Sequence, residues 1–343
     1  MSGLTIIDPG LATSLQDTGR TGHLRYGVPV CGALDADSMR IANAIVGNED
    51  NAPVLEVRFL GPSFKVSVER IRVAFSGALL NIRVERNGEE VLFDADRSFV
   101  LLKDDKVTTG PLRGSSTACM AVEGGFAVEP VLGSAATDIK SGISGFGSSR
   151  FEAGTVLPLQ IETVEVRPDM ALPVSIELQS NEPILVMMGP QDDYFTEATL
   201  DIFLNTEWKV SQQADRMGMR LDGPDLEHSK GHDIASDGIA NGAIQVPGSR
   251  QPIVLLADRQ TSGGYPKIAT VISAELPRMG RMAPGTTIRF QSVEAAEAVE
   301  LAREHERQMQ NLLRTIAPYH PPGEIDLAAL ASGNIISAPV GLE

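Results

Sequence analysis

The stretch 71-IRVAFSGALLNIRVERNGEEVLF-93 decides how this chain folds. Ile71, Val73 and Phe75 alternate with polar or small residues, and Ile82 and Val84 do the same. A period of two places one face of each run inward and marks a strand. Asn87-Gly88 separates the second run from Val91–Phe93, and Asn-Gly is the preferred centre of a tight β-hairpin. The pattern spreads in both directions. Val54–Phe59, Phe99–Leu102, Met120–Val122 and Ile184–Met188 read as strands, as do 207–211, 243–246, 253–257 and 286–290. Helical periodicity is confined to two places. One follows Asp35 and Asp37, either able to cap, with Met39, Ile41, Ala42, Ile45 and Val46 on one face and Gly47-Asn48 as a stop. The other runs from Ser292 to about Ile316 and is rich in Glu, Ala, Leu, Arg and Gln.

A chain of 343 residues exceeds the usual size of one domain, so two are expected. Pro168, Pro173 and Pro183 punctuate the crossing, which puts a boundary near 165. Gln191-Asp192, after a strand and a turn, echoes Gln16-Asp17 near the start. The Gly- and Ser-rich stretch 133–154 reads either as a linker or as a binding loop, and Ile143, Phe146 and Phe151 within it favour the loop.

Net charge is −16, which argues against sequence-independent binding of nucleic acid and against an anionic membrane surface. No apolar run is long enough to span a bilayer, and no basic-then-apolar leader opens the sequence; a cytoplasmic protein is expected. Two cysteines make neither a disulfide framework nor a zinc set. Cys31 precedes a helix but lacks an evident base, so a packed residue is the favoured reading. His228 and His232 have metal-ligand spacing. Gly231 between them and Pro224 upstream favour a solvated loop, so no metal is assigned. P-loop, esterase-elbow and Rossmann signatures are missing.

Polar groups concentrate in four segments. "TSLQDTGRTG" (13–22) holds Gln16, Asp17 and Arg20. "ADRMGMRL" (214–221) holds Asp215, Arg216 and Arg220. "ANGAIQVP" (240–247) holds Gln245. "LADRQTSGGYPKIATV" (256–271) holds Asp258, Gln260, Thr261, Gly263, Gly264 and Tyr265. A strand ending in polar residues and a Gly-Gly turn suits a small polar ligand, and backbone N–H groups there could face an oxyanion.

These segments, with "GVPVCGALDADSMRIANAIVGN", "VLEVRFLGP", "AVEGGFAVEPVLGS", "MGPQDDYF" and "APGTTIRF", occur in one order that resembles the biotin-dependent carboxyltransferase family. That family includes the 5-oxoprolinase C subunit, the KipA-type proteins and the second half of the urea carboxylase carboxyltransferase region, and is also called allophanate hydrolase subunit 2. The resemblance covers roughly residues 4–295. It implies a mainly β fold with some α: two cyclophilin-like β-barrel domains (1–165 and 166–291) and a C-terminal helix and tail (292–343). It implies catalytic roles for Gln16, Asp17, Arg20, Asp215 and Arg216. It implies substrate contacts from Asp35, Asn43, Gln191, Arg220, Gln245, Asp258, Gln260, Thr261, Gly263, Gly264 and Tyr265. The partners implied are the 5-oxoprolinase B subunit (KipI-like) and a LamB/YcsF-type A subunit. ATP would act in their complex. A carboxyltransferase would instead draw on biotin carried by another protein, since the chain has no biotinyl-lysine motif. A KipA-like regulatory binding protein is the third expectation. Departures from the family pattern are Cys31 for Ser, Glu275 for Asp, Gly280-Arg281 where Gln is common, and "VPGSRQP" without the usual Asp-Gly turn.

Overall fold

The structure is a computed structural model that describes residues 2–148, 150–178 and 180–321. Its first half carries β1 (Gly3–Asp8), β2 (Ala12–Gln16), α1 (Ala36–Val46), β3 (Val54–Arg58), β4 (Ser63–Val66), β5 (Arg70–Ser76), β6 (Ile82–Arg86), β7 (Glu89–Phe93), β8 (Ser98–Leu102), β9 (Lys106–Thr108), β10 (Thr117–Val122) and β11 (Val156–Pro158). They form a six-stranded sheet, β11-β1-β4-β9-β6-β7, and a five-stranded one, β2-β3-β10-β5-β8. Leu4, Phe64 and Val66 of the first share one core with Leu15, Leu55, Val73 and Phe75 of the second. The Asn-Gly hairpin forms with Arg86 opposite Glu89. Asn87 (φ 52°) and Gly88 (φ 83°) take the positive φ values such a turn requires. Asp35, rather than Asp37, caps α1, accepting from the Ser38 amide at 3.2 Å, and Gly47 ends the helix in the left-handed region. Met39, Ala42, Ile45 and Val46 pack on Ala74, Cys119 and Ala121 of the five-stranded sheet.

A crossing with β12 (Met170–Ala171) leads to the second half: β13 (Ile184–Met188), α2 (Glu197–Asn205), β14 (Trp208–Ala214), β15 (Gly218–Asp222), β16 (Asp237–Gly238), β17 (Ala243–Gln245), β18 (Ile253–Leu255), β19 (Ser262–Gly263), β20 (Lys267–Val271), α3 (Leu276–Arg281), β21 (Thr287–Ile288) and β22 (Phe290–Ser292). The main sheet has eight strands in the order β21-β14-β15-β18-β17-β20-β13-β22. Its two edge strands are separated in sequence by Arg289 alone, so the sheet curls until its edges meet and encloses Trp208, Val186, Ile244 and Ile268. The expected run 286–290 is thus two short strands on opposite edges. Closure of this kind removes the unpaired edges that an open sheet would expose.

The chain then returns. α4 (Ala295–Leu313) buries Met309 beside α1, Arg40 pairs with Glu306 at 2.8 Å, and β23 (Ala317–Pro318) pairs with β12. The two halves are also pressed together directly. Leu34, from the first half, belongs to the second core. The expected mainly β architecture with barrel units and a C-terminal helix is what the chain adopts; the tail beyond 321 lies outside the described residues.

Candidate functional site at the junction of the halves

Gln16 ends β2, and the turn after it is buried beneath the Gly- and Ser-rich loop. That loop lies between β10 and β11, inside the first half, so it does not link domains. Asp17 accepts from the Gly19 amide (2.7 Å), the Ser134 hydroxyl (2.6 Å) and the Ala135 amide (2.6 Å). Gln16 donates to Ser14 Oγ (2.9 Å) and the Thr137 carbonyl (3.0 Å), and Arg20 donates through Nη2 to the Ala136 carbonyl. These three side chains therefore fix the loop from below. They leave Gln16 Oε1 and Arg20 Nε and Nη1 buried without a partner among the described residues.

Arg216 crosses between the halves. Its Nε and Nη2 meet both oxygens of Asp258 at 2.9 and 2.8 Å, Nη1 reaches Glu56 of β3, and Nη2 also donates to the Gly32 carbonyl at 2.7 Å. Glu56 in turn accepts from the Leu34 amide at 2.7 Å. Burial opposes the Arg216 cation, but Asp258 and Glu56 outweigh it and hold the guanidinium above its ordinary value. Four of the five guanidinium N–H donors are engaged, two of them in a fork on one carboxylate, which makes Arg216 a staple between the halves.

Two cavities flank the β14–β15 turn and share Asp215 and Met217. One, of about 430 Å³, is lined by Asp215, Arg220, Gln245, Gln260 and Tyr265. The other, of about 350 Å³, lies between the halves and is lined by Ser14 and Arg58 from one side, Asp215, Arg216 and Asp258 from the other, and Lys140 and Arg150 from the loop. Gln245 is buried. Its Oε1 receives Gln260 Nε2 at 3.4 Å, while its own Nε2 has no partner among the described residues. That amide is a ready donor to a carbonyl oxygen, so the cavity fits an amide or ureido group, the chemistry of a lactam and of the biotin head alike.

Other expected residues lie elsewhere. Asp35 is sealed against Arg281 at 3.0 Å, and burial raises its carboxyl above the usual range, with Arg281 pulling the other way. Asn43 donates to the Ala52 carbonyl at 2.8 Å within the α1 cap region. Gln191 accepts from the Lys267 amide at 3.2 Å. Thr261 accepts from the Ile239 amide through its carbonyl. The Gly-Gly pair is not a turn. Gly263 sits in β19 opposite Asp237, and neither glycine has a positive φ. Gly263 is small for a different reason: a Cβ there would lie 2.8 Å from Gln245 Nε2 and 2.7 Å from Ile239. Cys31 is buried, and burial, with Asp258 and Asp138 adding to it, drives the thiol far above its ordinary range, which removes a thiolate role. His228 Nε2 donates to the Val246 carbonyl at 2.9 Å and His232 is exposed; no three-residue metal cluster exists among the described residues.

Arg58 and Glu56 do not stand out in the sequence. Both lie on β3, whose five residues are all buried, so an i, i+2 charged pair inside an apolar strand is the one signal that could have found them.

The fold and cleft define a mainly β protein, a two-sheet half and a barrel half, with polar cavities where the halves meet. Residues 26–292 match the family described as "Carboxyltransferase domain, subdomain A and B", and the chain belongs to that family. It is 34% identical over 313 residues to the 5-oxoprolinase C subunit of Escherichia coli, covering 90% of this chain and 97% of that one. It is 30% identical over 316 residues to the 5-oxoprolinase C subunit of Haemophilus influenzae, covering 91% and 98%. The crystal structure of the K. lactis urea amidolyase superposes with a TM-score of 0.79 at 26% identity, over 94% of this chain but 22% of that larger one. These relatives carry the names of enzymes or of parts of enzymes. No helix among the described residues is long and apolar enough to cross a membrane.

Proposed function

We propose that this chain is the C subunit of an ATP-dependent 5-oxoprolinase, in which 5-oxo-L-proline is opened to L-glutamate. The observation that carries this reading is the buried, unpartnered Gln245 amide in a cavity bordered by Gln260, Arg220 and Tyr265. Gln245 Nε2 donates to the lactam oxygen and so draws electron density from the carbonyl carbon that water attacks. Arg216, held by Glu56 and Asp258, positions the cleft wall. In a complex with a KipI-like B subunit and a LamB/YcsF-type A subunit, ATP would supply a γ-phosphoryl group to the amide oxygen with ADP leaving, and attack by water would then release phosphate as the ring opens to glutamate. Likeness to two 5-oxoprolinase C subunits over nearly their whole length supports the assignment.

The family description and the urea amidolyase likeness favour a second reading, transfer of CO₂ from carboxybiotin on a partner protein to a urea-like amide. The same Gln245 donor would serve it. The test is ATP hydrolysis and glutamate formation by the chain co-purified with both partners. The expected result is stimulation by 5-oxo-L-proline that requires all three proteins, and a fall in kcat/KM of about 10- to 100-fold in Gln245→Leu. Binding of partners without turnover, and no response to Gln245→Leu, would sink it and favour the regulatory, KipA-like role.

A further inference from the structure

Arg58 is 4% exposed, yet among the described residues its guanidinium makes no hydrogen bond and no ion pair. Its one ring contact is with Phe59, 4.9 Å from the centroid. Burial, with the Arg216 cation adding to it, lowers the Arg58 pKa below its ordinary value; Glu56, Asp215 and Asp258 oppose this from a distance, but Glu56 and Asp258 are hydrogen-bonded to Arg216 and not to Arg58. Buried charges are normally paired, so an unpaired one at a cavity wall marks a missing counterion. The cavity is the inter-half one of about 350 Å³.

We propose that Arg58 is a specificity residue that binds the carboxylate of a small anionic substrate in this cavity. The proposal rests on the reading that the adjoining cavity takes a cyclic amide, and it adds that the amide carries an acidic arm. Charge calls for an anion, and the cyclic amide read into the adjoining cavity makes that anion a carboxylate on the same small molecule. Arg216 is consumed by Asp258 and Glu56. What remains on the wall is Arg58, Lys140 and Arg150 facing Asp215, a net positive lining that draws in an anion. The free Nε edge of a guanidinium also matches the planar, two-oxygen face of a carboxylate. A neutral acceptor such as urea would leave Arg58 as unsatisfied as it is without ligand.

The test titrates the full chain by calorimetry with 5-oxo-L-proline, with 2-pyrrolidinone (the lactam without the acid), with cyclopentanecarboxylate (the acid without the lactam) and with inorganic phosphate. Arg58→Met should weaken both carboxylates about tenfold or more and leave 2-pyrrolidinone unchanged. Arg58→Lys, which keeps the charge but not the fork, should fall between, and it carries the test if the Met variant does not fold. If cyclopentanecarboxylate binds through Arg58 while neither lactam binds, the carboxylate assignment stands and the lactam reading fails. If 5-oxo-L-proline binds equally to wild type and both variants, the lactam reading stands and Arg58 is not its carboxylate contact. Arg58-dependent binding of phosphate alone overturns the assignment.

Discussion

At the scale of the residue, the junction turns on Arg216 and its two carboxylates. Glu56 is 1% exposed, and Asp258 also lies inside the junction. Removing the arginine strands both acids in a poorly solvated interior. Arg216→Ala should cost about 3–5 kcal/mol of stability, read from urea unfolding, because breaking a buried pair from one side leaves uncompensated charge. A loss below about 1 kcal/mol would mean that the carboxylates find water or protons easily. Part of this network is legible in the sequence. Asp215, Arg216, Gln245, Asp258 and Gln260 stand out as polar groups at strand ends, and the fold brings them to adjoining cavities. Glu56 and Arg58 are hidden, because a strand buried on both faces has no alternation to break, and because Glu56 meets an arginine 160 positions away. Gln16, Asp17 and Arg20 are equally conspicuous in sequence. A dense polar turn looks the same whether it faces a ligand or, as here, ties down a loop whose own backbone needs partners.

At the scale of the element, α1 is readable to within two residues at its start, where Asp35 and Asp37 both offer a cap, and to its last residue at Gly47. The helix near the C-terminal end is readable too, but its docking is not, because amphipathicity says that a face is buried and not against what. α4 lies back on α1 through Arg40–Glu306 and through His305, whose Nε2 is 3.1 Å from Asp37. His305 also senses Glu306 and Arg40, and it acts on Glu275 at the start of α3. The hydrogen bond to Asp37 raises the His305 pKa above its unfolded value of 6.5. Its stabilising share is therefore complete below pH 6.5 and is lost as pH climbs through the higher folded value. Thermal melting of wild type should fall between about pH 6 and 8 more than that of His305→Gln; identical slopes would show that Asp37 does not hold the proton on His305.

For the whole molecule, the two halves are joined where α3 sits against the start of β10 and the loop before α1. Ser116 Oγ donates to the Met282 carbonyl at 2.8 Å and Thr117 Oγ1 to the Gly280 carbonyl at 2.7 Å. A Cβ on Gly280 would stand 2.3 Å from the Leu34 carbonyl oxygen, closer than any real contact. Gly280→Ala should therefore cost about 1–3 kcal/mol and loosen the halves from one another. The chain's single tryptophan, Trp208, is buried in the second core, so its fluorescence follows that half alone. In wild type its urea transition should coincide with the far-UV circular dichroism transition, and in Gly280→Ala the two should separate. Coincident curves in the variant would show that the junction yields without uncoupling. None of this can be read from Gly280-Arg281 as a departure from a family pattern, since close approach is a property of two segments and not of one.

The closure of the second barrel by β21 and β22 also sets an order of events during synthesis. Its first strand, β13 (Ile184–Met188), leaves the ribosome well before Thr287–Ser292, the strands that seal it. During that interval the edges of β13 and β14 stay open, and Leu34, already made, has no second core to enter. The first half meanwhile waits for Met309 and β23 to cover α1 and β12. Both surfaces are thus shielded only by segments between residues 287 and 318, made well after the elements they cover, so truncation before Thr287 should leave both halves with exposed apolar surface.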